Sequence, residues 1–135
     1  MKKKNGFTLV ELLAVIVILA IILVIAVPQI MNTIKDARKG SFESSAKLIA
    51  SNAETYWLTK QTLGETLPTT AKCTDLASLS ATDYDTTEGK CVVSISDAGV
   101  ATVTLEGKAG GKFAGCKVTG ATKDAATATG GNCGA

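Results

Sequence analysis

The chain has 135 residues, 14 Lys and Arg against 12 Asp and Glu, and no His. That excludes a His-based catalytic triad, a His metal site and a His general base. A net charge of +2 and 4% aromatic residues argue against a nucleic-acid binder held by bulk charge or by base stacking. The 46% apolar average hides a division: residues 1–34 hold 23 of the 62 apolar residues, and residues 35–135 hold the other 39.

Three of the positive charges are Lys2, Lys3 and Lys4. Gly6 then separates this basic hexapeptide from the apolar run that starts at Phe7. A Lys-rich leader ending in Gly before a hydrophobic residue points to a protease junction on the cytoplasmic side. From Leu12 to Ile34 there are 23 residues without a charge, and about 20 apolar residues suffice for a transmembrane helix. Isoleucine and valine are indifferent helix formers in water, but in lipid only a helix satisfies its own backbone. By the positive-inside rule the lysines stay in the cytoplasm and the C-terminal part faces outward.

Glu11 lies inside the apolar run Phe7–Leu13. A carboxylate at membrane depth costs up to about 3 kcal/mol, so it either snorkels to the interface or has a partner. Pro28 removes one helix donor, and because helical signals resume after it, a kink is expected rather than an end. A secretory signal cleaved near Ala26, after Val24-Ile25-Ala26, is an alternative. Glu11 and the uninterrupted apolar run speak against it.

The segment KKKNG-FTLVELLAVIVILAIILVIAVP resembles the leader and N-terminal helix of type IV pilins and pseudopilins, over Lys2 to about Lys39. The resemblance implies cleavage between Gly6 and Phe7 by prepilin peptidase, N-methylation of Phe7, and a Glu11 that pairs with the terminal amine of a neighbouring subunit. It further implies a homo-oligomeric helical filament, with Pro28 in the assembling helix. Assembly would use an ATPase and a platform protein, starting from a single-pass state in the cytoplasmic membrane with the C-terminus outside. The mature filament would be extracellular, a fimbrium with roles such as adhesion or motility. A pseudopilin of a type II secretion or competence (DNA-uptake) system is the neighbouring possibility. A membrane-anchored enzyme is disfavoured by the lack of His and of any nucleophile motif, and a secreted binding module would need the cleavage near Ala26.

After Ile34 the pattern becomes amphipathic. Ile30, Ile34, Ala37, Ser41, Ser45, Leu48, Asn52, Thr55 and Thr59 follow helical spacing and form the stripe expected to pack on a folded domain. Lys35/Asp36 and Arg38/Lys39 with Glu43 allow surface charge pairs. Gly40 is a mild interruption, and Gly64 reads as the cap of a helix ending at Leu63.

Residues 65–135 are rich in Thr, Ala and Gly. Pro68 and the polar run after it read as a loop, and Cys73–Leu79 as a turn or short helix. Cys91–Ser96 and Val100–Leu105 alternate with period two around Asp97-Ala98-Gly99, which predicts a β-hairpin. Lys112–Thr119 reads as a third antiparallel strand, and residues 119–135 as a tail with weak structural signals. Cys73, Cys91, Cys116 and Cys133 contain no C-x-x-C, so no zinc site is expected. Outside the cytoplasm an even count fits two disulfides. Of three pairings, Cys73–Cys91 with Cys116–Cys133 is favoured, the first stapling the loop to the hairpin and the second the tail.

Other motifs fail. Gly107–Lys112 lacks phosphate-loop spacing, no N-x-[S/T] sequon exists, and Asp83, Asp85 and Glu88 lack the calcium-loop pattern. No cofactor or metal is expected. Residues 72–106 carry net −4 and residues 107–124 net +3. This is a solvated surface first and a complementary subunit contact second; Lys108, Lys112, Lys117 and Lys123 offer at most weak DNA contact. The expected architecture is α+β: a leader 1–6, a transmembrane and filament-core helix 7–34, an amphipathic helix 35–63, and a β-rich head 64–135 with disulfides.

Overall fold

The structure, a computed structural model, describes residues 5–134, so the leader lysines Lys2, Lys3 and Lys4 lie outside it. One helix, α1 (Leu9–Thr62), takes up 54 residues and runs through Pro28 without a break in its assignment. The chain divides into two compact units, one ending at Ile34 and one beginning at Lys35.

In the first unit, each large apolar side chain from Leu9 to Met31 is at least 50% exposed. Buried apolar surface is worth about 25 cal/mol per Å², and this segment gains none of that within its own unit. It is also the one helix long and apolar enough to cross a membrane among the described residues.

The second unit is built on the rest of α1. Phe42, Ala46, Ile49, Ala50, Ala53 and Trp57 recur at helical spacing and are buried. They pack on an antiparallel five-stranded sheet in sequential order, β1 (Thr70–Lys72), β2 (Cys91–Ile95), β3 (Ala101–Glu106), β4 (Lys117–Ala121) and β5 (Ala128–Thr129). Phe42, Ala46, Ile49, Ala50 and Ala53 are fully buried there, and Trp57 nearly so. The sheet contributes Val93, Ile95, Ala101, Val103, Leu105, Val118 and Ala128 to the same core. The architecture is α+β, a long N-terminal helix packed on an antiparallel sheet.

The buried stripe is not the expected one. Ser41, Leu48, Thr55 and Thr59 are exposed and Ser45 and Asn52 half-buried; Leu48 is 56% exposed. Hydroxyls on the outward side bond back to the helix: Thr55 Oγ1 donates to the Ser51 carbonyl at 3.0 Å and Thr59 Oγ1 to the Thr55 carbonyl at 2.8 Å. Such back-bonding satisfies them without a tertiary partner. The true face was masked because half of its members are alanine, which carries little hydrophobic signal. The expected pairing of Arg38 and Lys39 with Glu43 is also absent, because Glu43 Oε1 accepts the Ala128 N–H at 2.9 Å.

The helix ends at Thr62, and Gly64 supplies the left-handed residue (φ 67°) that closes it. The Glu65 N–H bonds the Lys60 carbonyl and the Gly64 N–H the Gln61 carbonyl, the pairing of a Schellman cap. Residues 70–72, expected as loop, form edge strand β1. Its successor α2 (Cys73–Leu76) is a single helical turn.

The expected hairpin forms as β2 and β3, in register Cys91↔Leu105 to Ile95↔Ala101. The expected strand over residues 112–119 is shorter and later. Residues 112–115 make turns, and β4 starts at Lys117. The Gly107 and Gly111 neighbourhoods explain this: a Cβ at Gly107 would lie 1.8 Å from the Phe113 carbonyl oxygen, so the chain folds back on itself there instead of extending. Between β3 and β4 the register slips from Val103↔Ala121 to Leu105↔Val118. The extra residue is a bulge beside Gly120 (φ 69°), and it keeps both Val118 and Ala121 on the buried face. The tail expected to be featureless adds β5 and a 3-10 turn at Gly131–Cys133.

Candidate processing and assembly site

Residues 5–8 are outside regular structure, and α1 begins only at Leu9. Phe7 is 91% exposed, and nothing lies within 4 Å of a Cβ placed on Gly6. The Gly6–Phe7 peptide is therefore accessible, non-helical and free of steric cover, the form in which a protease can extend a substrate chain.

Helix α1 then starts with a reciprocal cap. The Thr8 N–H donates to Glu11 Oε2 at 2.9 Å and the Glu11 N–H to Thr8 Oγ1 at 3.3 Å. This is a capping box, which satisfies two of the otherwise orphaned donors at the helix start. Thr-x-x-Glu before an apolar run is the sequence signal for this cap. The cap occupies one carboxylate oxygen of Glu11. The carboxylate remains at the helix N-terminus, where negative charge is favoured, and at the edge of an apolar surface. Pro28 offers no N–H to the Val24 carbonyl, and the helix continues past it; the Thr33 hydroxyl bonds the Gln29 carbonyl at 3.1 Å.

In the second unit, disulfides join Cys73 to Cys91 and Cys116 to Cys133, with Cα atoms 5.5 and 5.3 Å apart. The first ties α2 to β2; the second ties the start of β4 to the terminal 3-10 turn. A side-chain cluster of Phe42, Tyr84 and Phe113, with centroids 5.0 to 5.6 Å apart, lies between helix and loops. Tyr84 Oη and Ser45 Oγ are 2.7 Å apart, and burial pushes the Tyr84 hydroxyl pKa up.

The lysines of the basic segment are engaged within the chain. Lys108 Nζ donates to the Ala81 carbonyl at 2.8 Å, and Lys112 Nζ lies 4.6 Å from the Phe113 ring centroid. Lys117 pairs with Glu106 at 2.9 Å and Lys123 with Glu54 at 2.8 Å. Hydrogen bonds from Lys90 and then Lys117 hold the Glu106 carboxyl below its ordinary pKa. In the acidic segment, Asp85 Oδ1 accepts from the Thr87 N–H and hydroxyl, and Asp83 Oδ1 accepts the Lys112 N–H at 3.3 Å. Among the described residues no group of three His, Cys, Asp or Glu is placed to hold a metal ion.

The Gly6–Phe7 step thus lies outside the helix, ahead of a capped apolar segment, in a chain that also carries an antiparallel sheet. The prokaryotic N-terminal methylation motif matches residues 1–27. That motif supports a precursor of the type IV pilin or pseudopilin type, structural in kind and fitted for membrane anchoring. The match stops one residue before Pro28, short of the Lys39 to which the resemblance extends. No curated protein and no solved structure matches the chain.

Proposed function

We propose that the protein is a structural subunit of a type IV pilus filament. The observation that carries the reading is the methylation motif over residues 1–27, falling on a non-helical Gly6–Phe7 junction and a capped apolar helix. In this reading the leader 1–6 is removed by prepilin peptidase, and the new amine on Phe7 is methylated. The helix over 7–34 holds the chain in the membrane and later in the filament core. Residues 35–63 and 64–135 form the exposed stem and head.

Glu11 has the chemistry for register. An α-amino group has a pKa near roughly 8 and is positive at neutral pH. In an apolar core an unpaired carboxylate and an unpaired ammonium each carry a desolvation cost, and pairing offsets both. The Thr8 N–H takes one acceptor site on Glu11 Oε2, and the carboxylate keeps further sites for a neighbour's amine. Pro28 leaves a carbonyl free in the helix and gives the array a point of adjustment.

The intact mass of the protein from producing cells tests this. A chain beginning at methylated Phe7 supports it; a start at Met1 or Val27 refutes it. Imaging of the cell surface then separates a long pilus from the short filament of a secretion or competence system.

A further inference from the structure

The first cation after the apolar run is Lys35, one residue beyond Ile34, and Arg38 and Lys39 follow at i+3 and i+4. That spacing places all three on one side of α1, the side that carries Phe42 and Ala46 one and two turns later. Three like charges so placed repel one another along a helix. Among the described residues no ion pair neutralises them. Ion pairs among the described residues join Lys60–Glu65, Lys90–Glu106, Lys117–Glu106 and Lys123–Glu54. Glu43, the carboxylate four residues after Lys39, is committed to the Ala128 N–H. Asp36, three residues before Lys39, forms no ion pair with it. Arg38 and Lys39 are also half-buried, so part of their hydration is already lost.

These cations stand on the flank that must leave the cytoplasm, where they oppose the topology set by Lys2, Lys3 and Lys4. A translocated cation cluster at the end of an apolar span meets the headgroup layer of the bilayer. We infer that Lys35, Arg38 and Lys39 form a docking collar for anionic phospholipid headgroups of the outer leaflet. It holds the subunit at a fixed depth before assembly and must be released for the chain to leave the membrane. Charge complementarity selects the occupant: a headgroup phosphate without a compensating ammonium is what unpaired lysine and arginine attract.

The inference rests on the membrane-spanning part of the proposed function. Its test is native mass spectrometry of the full chain in nanodiscs made of equal amounts of phosphatidylglycerol and phosphatidylcholine. The wild type is expected to retain phosphatidylglycerol preferentially, by about fivefold for each engaged cation. The preference should fall as salt rises. The Lys35→Gln/Arg38→Gln/Lys39→Gln variant should lose most of it. A Lys2→Gln/Lys3→Gln/Lys4→Gln variant should keep the share due to the collar. Unfolding of the head, monitored through Trp57, checks that the collar variant is folded. A chain that inserts but shows no lipid preference, or a collar variant that retains all of it, overturns the inference alone. A collar variant with unchanged lipid retention but failed filament assembly assigns the cations to a neighbouring subunit's carboxylates and also overturns it. A chain that does not insert overturns both this inference and the membrane-spanning reading.

Discussion

Two stretches of one helix use apolar residues in opposite ways. Between Leu9 and Met31 they surround the helix, and every large one is at least half exposed. Between Phe42 and Trp57 they follow one stripe, and that stripe is buried on the sheet. The first pattern has no preferred face and requires an apolar surrounding, lipid or other copies. The second has one face and a partner within its own chain. The difference teaches that helix formation and head stability are separable here, although they share a backbone.

The comparison breaks most sharply in the core of the head. Phe42→Ala removes a fully buried ring from the Phe42–Tyr84–Phe113 cluster and should cost the head about 4 kcal/mol in denaturant unfolding. Ile18→Ala, in the exposed stretch, should leave the same transition unchanged. A shift of the head's midpoint by Ile18→Ala would show that the two stretches are coupled after all.

Next in size are the staples. A Cys116→Ser/Cys133→Ser variant frees the terminal turn from β4 and should lose about 3 kcal/mol by the same measurement, with proteolysis beginning at the C-terminal residues. Gly99→Ala should follow at about 2 kcal/mol, from a positive φ and overpacking together. Gly99 has φ 79°, and an added Cβ would lie 2.8 Å from the Trp57 ring. Thermal unfolding reads this, and recovery by a simultaneous Trp57→Leu would identify the ring as the obstacle.

A smaller effect belongs to the exposed stretch alone. Thr8→Ala removes one half of the capping box and should cost the first turn about 1 kcal/mol. Amide exchange in micelles should accelerate at Glu11 and its neighbours, Thr8→Ser should restore protection, and the head should not respond.

The smallest effect is a pH dependence confined to the head. Glu106 has its pKa lowered by hydrogen bonds from Lys90 and Lys117, so its contribution is complete above the ordinary glutamate value. It is lost as pH falls through the lowered one. Lys90 is the converse: its pKa is raised by Glu106, and its contribution is lost as pH rises through the raised value. Glu106→Gln should therefore flatten both the acid and the alkaline ends of the head's stability profile, measured as unfolding midpoint against pH.

The first 34 residues were legible because their information is local. The leader charges, the Gly6–Phe7 step and the long uncharged run need no partner to be recognised. Glu11 stands out as a lone carboxylate in an apolar run, and the Thr-x-x-Glu spacing carries its reciprocal bond with Thr8. The hairpin of β2 and β3 was also readable, since alternation and a tight turn are short-range signals. The opening charge of +2 assigns its surplus to Lys2, Lys3 and Lys4; without them 11 basic groups face 12 acidic ones.

What the sequence by itself determined is thus a basic N-terminus ahead of a membrane-capable helix, and a strand-forming C-terminal part with four cysteines. Only the tertiary structure decided which side of α1 faces the sheet. Three of its six buried positions are alanines, which give a periodicity argument little apolar signal. Tertiary structure likewise chose among three cysteine pairings, shortened the strand after Phe113, and raised the apparently featureless tail into β5 and a terminal turn. It also took Glu43 away from Arg38 and Lys39 to satisfy the Ala128 N–H. A buried backbone donor has a stronger claim on a carboxylate than a half-buried cation does, because water still reaches the cation but not the donor.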